Sequence, residues 1–307
     1  MADGAELGVV VMAYGTPASP GDVEAYYSHI RRGNAPTPER LAELTARYDA
    51  IGGISPLAAR TESQRAELQR ALDERAPGQC RVVLGQKHAA PFIEDAVATL
   101  ACDGVQRVIG LVLAPHFSRF SVGEYQGRLA TAAAEHSMGS AGIESWHLEP
   151  TYVRFLVDAV RDGLAELPER TKVLFTAHSL PERVLVDDSY PDQLQASASA
   201  VAQAAGLDRW AGWSIGWQSA GRTPEPWRGP DILEIIRELA ATGAADGVLV
   251  CPQGFVSDHL EVVYDLDIEA AHVATDVGLA FGRTRVLNAD PAVLGALADR
   301  VLAAAPA

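Results

Sequence analysis

The residues best suited to chemistry lie in two segments of the second half of the chain. His178 stands in Thr176-Ala177-His178-Ser179-Leu180-Pro181, directly after an apolar run. The serine and proline that follow force a turn, which puts the imidazole at the edge of a sheet. A group that titrates near neutral pH can bind a metal or move a proton there. A lone histidine is more often a satisfied polar residue, so the second segment, GFVSDHLEVVYDLDIE from Gly254 to Glu269, adds weight. In it Glu261, Asp265 and Glu269 recur every fourth residue. On an α-helix they share one face, where like charges cost roughly 0.2–0.5 kcal/mol per pair. Carboxylates in that arrangement suit a path for a hard cation, handed along one turn at a time. A local reading competes: Asp258 three residues before Glu261 has the pattern of a capping box, and acidic helix faces are often only solvated.

Such residues need elements to hold them. Short β-branched runs occur at Leu7–Met12, Arg81–Leu84, Val108–Leu113, Val173–Phe175, Trp213–Ile215, Val248–Val250 and Thr284–Leu287, with helix-like segments between most of them. That alternation predicts an α/β chain with parallel sheets, whose ligands sit beyond the carboxyl ends of the strands. The strand exits also repeat. Val10-Val11-Met12-Ala13-Tyr14-Gly15-Thr16-Pro17 echoes Leu174-Phe175-Thr176-Ala177-His178-Ser179-Leu180-Pro181, and Leu113-Ala114-Pro115-His116-Phe117 echoes Val250-Cys251-Pro252-Gln253-Gly254-Phe255. Two similar doubly wound domains are therefore expected, 1–146 and 147–287, with Tyr14 and His178 on corresponding loops facing a cleft. Residues 288–307 are expected to form a helix packing back on the first half. The first half carries an insertion, about 17–78, rich in Tyr and Arg, for which the second half has only a short connection. It reads as a lip over the cleft or as an ordinary amphipathic helical hairpin.

Composition excludes several classes. The 307 residues are 48% hydrophobic, enough for a large core or two, and the net charge is -15. That charge opposes phosphate neutralisation, so nucleic acid is not an expected partner, and an anionic ligand must meet a local basic patch. The longest apolar runs fall well short of the roughly 20 residues that span a bilayer. The N-terminal MADGAELGVVVMAYG lacks a basic region and enters a core strand at once, which predicts no signal peptide, no membrane insertion and a cytoplasmic protein. Only Cys80, Cys102 and Cys251 occur, none in CxxC spacing, which argues against disulfides, a zinc site or an iron–sulfur cluster.

The segments MAYGTP, YYSHIRRG, RYDAIGGISPL, GQKHAAPFIEDAV, TAHSLP and GFVSDHLEVVYDLDIEA resemble the ferrochelatases, in family order and over nearly the whole chain. The likeness is strongest to the water-soluble, coproporphyrin III-using branch of Gram-positive type. The resemblance implies a chelatase-like fold of two parallel four-stranded sheets that clamp a porphyrin. It implies an enzyme of the lyase class that inserts Fe²⁺ into coproporphyrin III and releases two protons in haem biosynthesis. His178 would be the histidine at the porphyrin centre and Glu261 its acidic partner, both handling metal and protons, with Asp265 and Glu269 continuing the acidic path. Tyr14, Arg31, Arg47, Ser55 and Tyr125 match positions that line the pocket or hold propionates, and His88, in GQKHAAPFIEDAV, is a weaker candidate. Fe²⁺ is then a substrate, no cofactor is tightly bound, no iron–sulfur cluster is present, and a monomer is expected. A cobalt chelatase of the same fold and a haem- or porphyrin-binding protein without turnover are the competing readings.

Overall fold

All seven residues of β1 (Leu7–Ala13) are buried. A run with no polar alternation belongs in the middle of a parallel sheet covered on both faces. In the computed structural model, which describes residues 5–207, 212–221 and 223–305, β1 lies between β2 (Cys80–Gln86) and β3 (Arg107–Val112). The strand β4 (Gly139–Ile143) pairs outside β3, giving a parallel sheet in the order β2-β1-β3-β4. The same plan recurs in β5 (Thr171–His178), β6 (Trp213–Gln218), β7 (Gly247–Cys251) and β8 (Ala280–Arg283), ordered β6-β5-β7-β8 and again all parallel. The expected pair of parallel four-stranded sheets therefore forms, and matching positions in the two orders make β1 the counterpart of β5.

Each sheet is part of its own unit. The first comprises the chain up to Ala114, Phe120–Ser145 and the chain from Asn288 onward; the second comprises Pro115–Arg119 and Trp146–Leu287. In the first, α1 (Val23–Ile30), α2 (Pro38–Ala50) and α3 (Leu57–Arg75) fill the connection from β1 to β2, and α4 (Ile93–Cys102) and α5 (Val122–Glu135) follow. The second holds α6 (Pro150–Ala165), α7 (Tyr190–Ala205), α8 (Ile232–Thr242), α9 (Leu260–Val263), a π-helical segment (Asp265–Ala270) and α10 (Ala271–Asp276). The last helix, α11 (Pro291–Ala304), lies in the first unit beside α3, where Arg75 Nε meets Asp299 Oδ1 at 2.5 Å.

Local chemistry sets the ends of these helices. The Thr37 hydroxyl accepts from Arg40 N at the start of α2, and the Asp290 carboxylate accepts from Ala292 N and Val293 N at the start of α11, each followed by a proline at the first helical position. Helices α7 and α8 stop at Gly206 and Gly243, at φ 81° and 62°, a left-handed conformation that a side chain makes costly.

The structure departs from the sequence-based expectation at four places. Strand β4, GSAGI, has no β-branched run until its last residue and was not foreseen. The final strand is Ala280–Arg283 rather than Thr284–Leu287, because pairing with β7 runs from Gly247↔Ala280 to Val250↔Arg283 and the chain then leaves the sheet. The link from β5 to β6 is not short but carries the 16-residue α7, since a parallel crossover needs a covering helix. Pro115–Arg119, expected in the first domain, belongs to the second unit. His116 Nε2 meets Ser197 Oγ at 2.8 Å, Phe117 N donates to Gln193 Oε1 and Arg119 N to Asp188 Oδ2. Among the described residues no helix is long and apolar enough to cross a membrane, and all three cysteines are free thiols.

Candidate active site

His178 is the last residue of β5, so the central strand of the second sheet delivers its imidazole to the sheet's carboxyl edge. Its Nδ1 lies 2.5 Å from Ser179 O. A carbonyl can only accept, so Nδ1 carries a proton and Nε2 is turned toward Glu261 Oε1, 3.4 Å away. The other carboxylate oxygen, Oε2, lies 3.6 Å from Nε2 of His259, whose Nδ1 in turn donates to Ser257 O at 2.9 Å. Two imidazoles thus anchor Nδ1–H on main-chain carbonyls and direct Nε2 at one carboxylate. That outer hydrogen bond fixes tautomer and ring orientation in metal-binding histidines.

The charges follow from this arrangement. Burial alone would lower the pKa of His178, but the charge and hydrogen bond of Glu261, the Ser179 carbonyl and then Asp265 outweigh it and raise it to about 9. Burial likewise works against the Glu261 carboxylate, and the charge and hydrogen bonds of His178, then those of His259, reverse the effect and hold it well below the usual range. At neutral pH the pair is an imidazolium facing a carboxylate. Both side chains stay 34% exposed, so the pair is open to solvent.

Residues at the carboxyl ends of β6 and β8 position Glu261 and its neighbours. In the register of β5 and β6, Gln218 sits opposite His178, and its Nε2 donates to Glu261 O at 2.8 Å. Ser219, held at φ 59°, donates its hydroxyl to Asp265 Oδ2 at 2.5 Å. Arg283, closing β8, grips the same stretch from the other side: Nε reaches Asp267 Oδ1 at 2.5 Å, and Nη2 reaches Asp267 Oδ2 at 3.0 Å and Asp258 Oδ1 at 3.4 Å. Gly254 lets the incoming loop lie against β5, since a Cβ there would come within 2.6 Å of Ala177 Cβ.

Two readings of this segment change. The acidic residues are not a ladder on one α-helical face, because Asp265–Ala270 is π-helical and Glu269 N bonds to Tyr264 O five residues back. Asp265 is buried, Glu269 half-buried and the intervening Asp267 exposed. Nor is there a capping box: the N-cap of α9 is His259, with no side-chain cap bond, and the Asp258 carboxylate is bound by Arg283.

In the first unit, Tyr14 follows β1 and is 44% exposed. Lys87 N bonds to Ala13 O and His88 N to Tyr14 O, prolonging the β1–β2 ladder past the strand ends. His88 therefore lies beside Tyr14, with ring centroids 4.6 Å apart. Lys87 Nζ binds Glu124 Oε2 at 2.7 Å and lies 5.3 Å from the Tyr125 ring centroid. Tyr125 is buried in α5, which pushes its phenol well above the usual range. Arg31, just after α1, is half-buried with Cζ 5.8 Å from the Tyr27 ring centroid. Arg47 is half-buried in the last turn of α2, and buried Ser55 accepts from Leu57 N at 3.2 Å before α3. The fold brings His178 to Glu261, Asp265 to Ser219, and Tyr14 to His88; Arg31, Arg47 and Ser55 stand on separate elements. Sequence reasoning missed His259, Gln218, Ser219 and Arg283. Only His259 gave a signal, as a second imidazole in the acidic segment.

Comparison with known proteins adds an independent line. The family model described as Ferrochelatase matches residues 6–305. The chain is 44% identical over 302 residues to "Coproporphyrin III ferrochelatase" of Halalkalibacterium halodurans, with 95% of each chain covered. It is 45% identical over 305 residues to the protein of that name from Anoxybacillus flavithermus, covering 96% of this chain and 95% of the relative. It is 44% identical over 304 residues to that of Bacillus subtilis, covering 97% of each. Among solved structures, "SirB from Bacillus subtilis with Fe3+" aligns with TM-score 0.59 at 11% identity, covering 98% of this chain and 96% of that one. CbiX, described as the terminal enzyme for biosynthesis of sirohaem in denitrifying bacteria, aligns with TM-score 0.54 at 14% identity, covering 98% and 100%. At such identities these two speak for the fold alone.

Proposed function

The chain belongs to the ferrochelatase family, and from that membership we propose that it inserts Fe²⁺ into coproporphyrin III to give coprohaem, releasing two protons. The observation that carries the site assignment is the disposition of His178 and His259, each with Nδ1 anchored and Nε2 turned to Glu261. Fe²⁺ enters by displacing the Nε2 proton of His178, which leaves to solvent past the partly exposed pair, and Glu261 offsets the charge of the arriving cation. Main-chain anchoring keeps both rings in a ligating tautomer. As iron passes to the macrocycle, His178 is freed beside its carboxylate and takes up one pyrrole proton. Asp265 and Glu269 continue the acidic path from Glu261, with Asp265 fixed by Ser219.

Tyr14, Arg31, Arg47, Ser55 and Tyr125 hold the porphyrin. Exposed Tyr14 offers a ring face, and the two guanidiniums suit propionates through their planar forks. Coproporphyrin III carries four propionates and is water-soluble, which favours local donors on an otherwise acidic protein over a greasy membrane-facing lip. Fe²⁺ is substrate, and we expect no resident cofactor or iron–sulfur cluster, a monomer, and a cytoplasmic location that suits the three free thiols. Specificity constants for coproporphyrin III and protoporphyrin IX with Fe²⁺, measured anaerobically in detergent-free buffer, test the reading. A higher value for coproporphyrin is expected. An equal or higher value for protoporphyrin would remove the substrate assignment.

A further inference from the structure

Metallation expels two pyrrole protons for each Fe²⁺ that enters, whereas the single imidazole of His178 carries one at a time. The first unit holds another imidazole system. Nδ1 of His88 and Nδ1 of His29 lie 3.0 Å apart, a hydrogen bond in which one ring donates and the other accepts. The two rings differ in setting. His88 is half-buried beside Tyr14, and His29, on α1, is exposed. Both are held in place: the His88 main chain by the bond from His88 N to Tyr14 O, and the His29 ring by stacking on Phe92 at 5.3 Å with 25° between planes.

Resting on the reading of Tyr14 as a porphyrin-holding residue, we propose that His88 and His29 form a relay that carries the second pyrrole proton to solvent. The pyrrole N–H bond breaks and leaves its electron pair on the nitrogen that binds iron. His88, as the Nδ1–H tautomer, receives that proton on Nε2 while its Nδ1 proton passes to Nδ1 of His29. His29 then releases a proton from Nε2 to water, and exchange with water and ring rotation restore both tautomers. No oxidant or reductant is needed. The groups facing His88 favour conduction over storage. Lys87 is paired with Glu124, and Arg128, paired with Glu94, donates to Lys87 O at 2.9 Å. Burial first, then the Lys87 ammonium and the neighbouring His29 and Arg128, hold His88 down to about 3, so it passes a proton on instead of keeping it.

The test uses the full chain with Fe²⁺ and coproporphyrin III under anaerobic conditions, comparing wild type with His88→Gln and His29→Ala. Glutamine keeps hydrogen-bonding capacity but cannot relay a proton. The expected result is a fall in kcat of about 10- to 100-fold in His88→Gln, within the range of a lost acid–base step, with porphyrin affinity retained within about twofold. His29→Ala, at an exposed site, is expected to lose several-fold in kcat and to recover it with millimolar imidazole. A kcat within twofold of wild type in both variants overturns the relay. So does a loss in His29→Ala that imidazole does not restore, or a His88→Gln loss confined to porphyrin affinity. If His88→Gln fails to fold, His29→Ala with and without imidazole decides alone. Absence of metallation by wild type refutes the ferrochelatase reading itself, which keeps the two failures distinct.

Discussion

Replacing Glu261 by Gln removes the charge that defines the site while keeping side-chain size. His178 is raised to about 9, chiefly against burial and through Glu261. Relative to an ordinary imidazole near 6.5, that gap is worth roughly 3 kcal/mol at 1.36 kcal/mol per unit. Both partners are 34% exposed, so solvent screening brings the figure to roughly 1–2 kcal/mol. A group with a raised folded pKa adds stability that is full below its unfolded value and lost as pH rises through its folded value. Wild type should therefore lose roughly 1–2 kcal/mol relative to Glu261→Gln between about pH 6.5 and 9, measured by urea unfolding at stepped pH. In the same variant, NMR titration should place His178 near or below about 7. Iron insertion should fall about a hundredfold while porphyrin affinity holds, because neither cation attraction nor the proton-accepting pair survives. Turnover within about threefold of wild type, or a His178 that still titrates near 9, would contradict this role for Glu261.

His178→Ala should fold and bind porphyrin nearly as wild type, since the ring stands at a strand exit rather than in the core, yet lose most iron insertion in a single-turnover assay. Arg283→Met should lower kcat by about tenfold with little change in porphyrin KM, because it removes the guanidinium that binds Asp258 and Asp267 on either side of Glu261. Arg283→Lys should recover only part of that loss, having no planar fork. Purified protein should show no iron–sulfur absorption and no stoichiometric inorganic sulfide, since Cys80, Cys102 and Cys251 cannot supply four thiolates.

Much of this architecture was legible in the sequence because it rests on local patterns. The all-buried LGVVVMA and the matching exits at Tyr14 and His178 announce a duplicated parallel sheet. Edge strands carry less signal: Gly139–Ile143 is built of small residues, and β8 is defined by its partner rather than by its composition. The pairing of His178 with Glu261 came from family motifs, but its geometry did not. Four-residue spacing implies an α-helical face, and the π-helical turn abolishes that face without any mark in composition. His259, two residues before Glu261, would point away from it on a regular helix. As the N-cap, at φ -156° and ψ -178°, it lies outside the helix and brings Nε2 within 3.6 Å of the carboxylate. Gln218 and Ser219 depend on the β5–β6 register, a long-range pairing that a single chain reading does not supply.

The most direct measurement is absorbance-monitored conversion of coproporphyrin III to coprohaem by anaerobic wild type and His178→Ala, with porphyrin binding to each measured separately. Conversion by wild type and little by the variant, at similar porphyrin affinity, is the expected result. Binding without conversion by wild type, or equal conversion by both proteins, would contradict it.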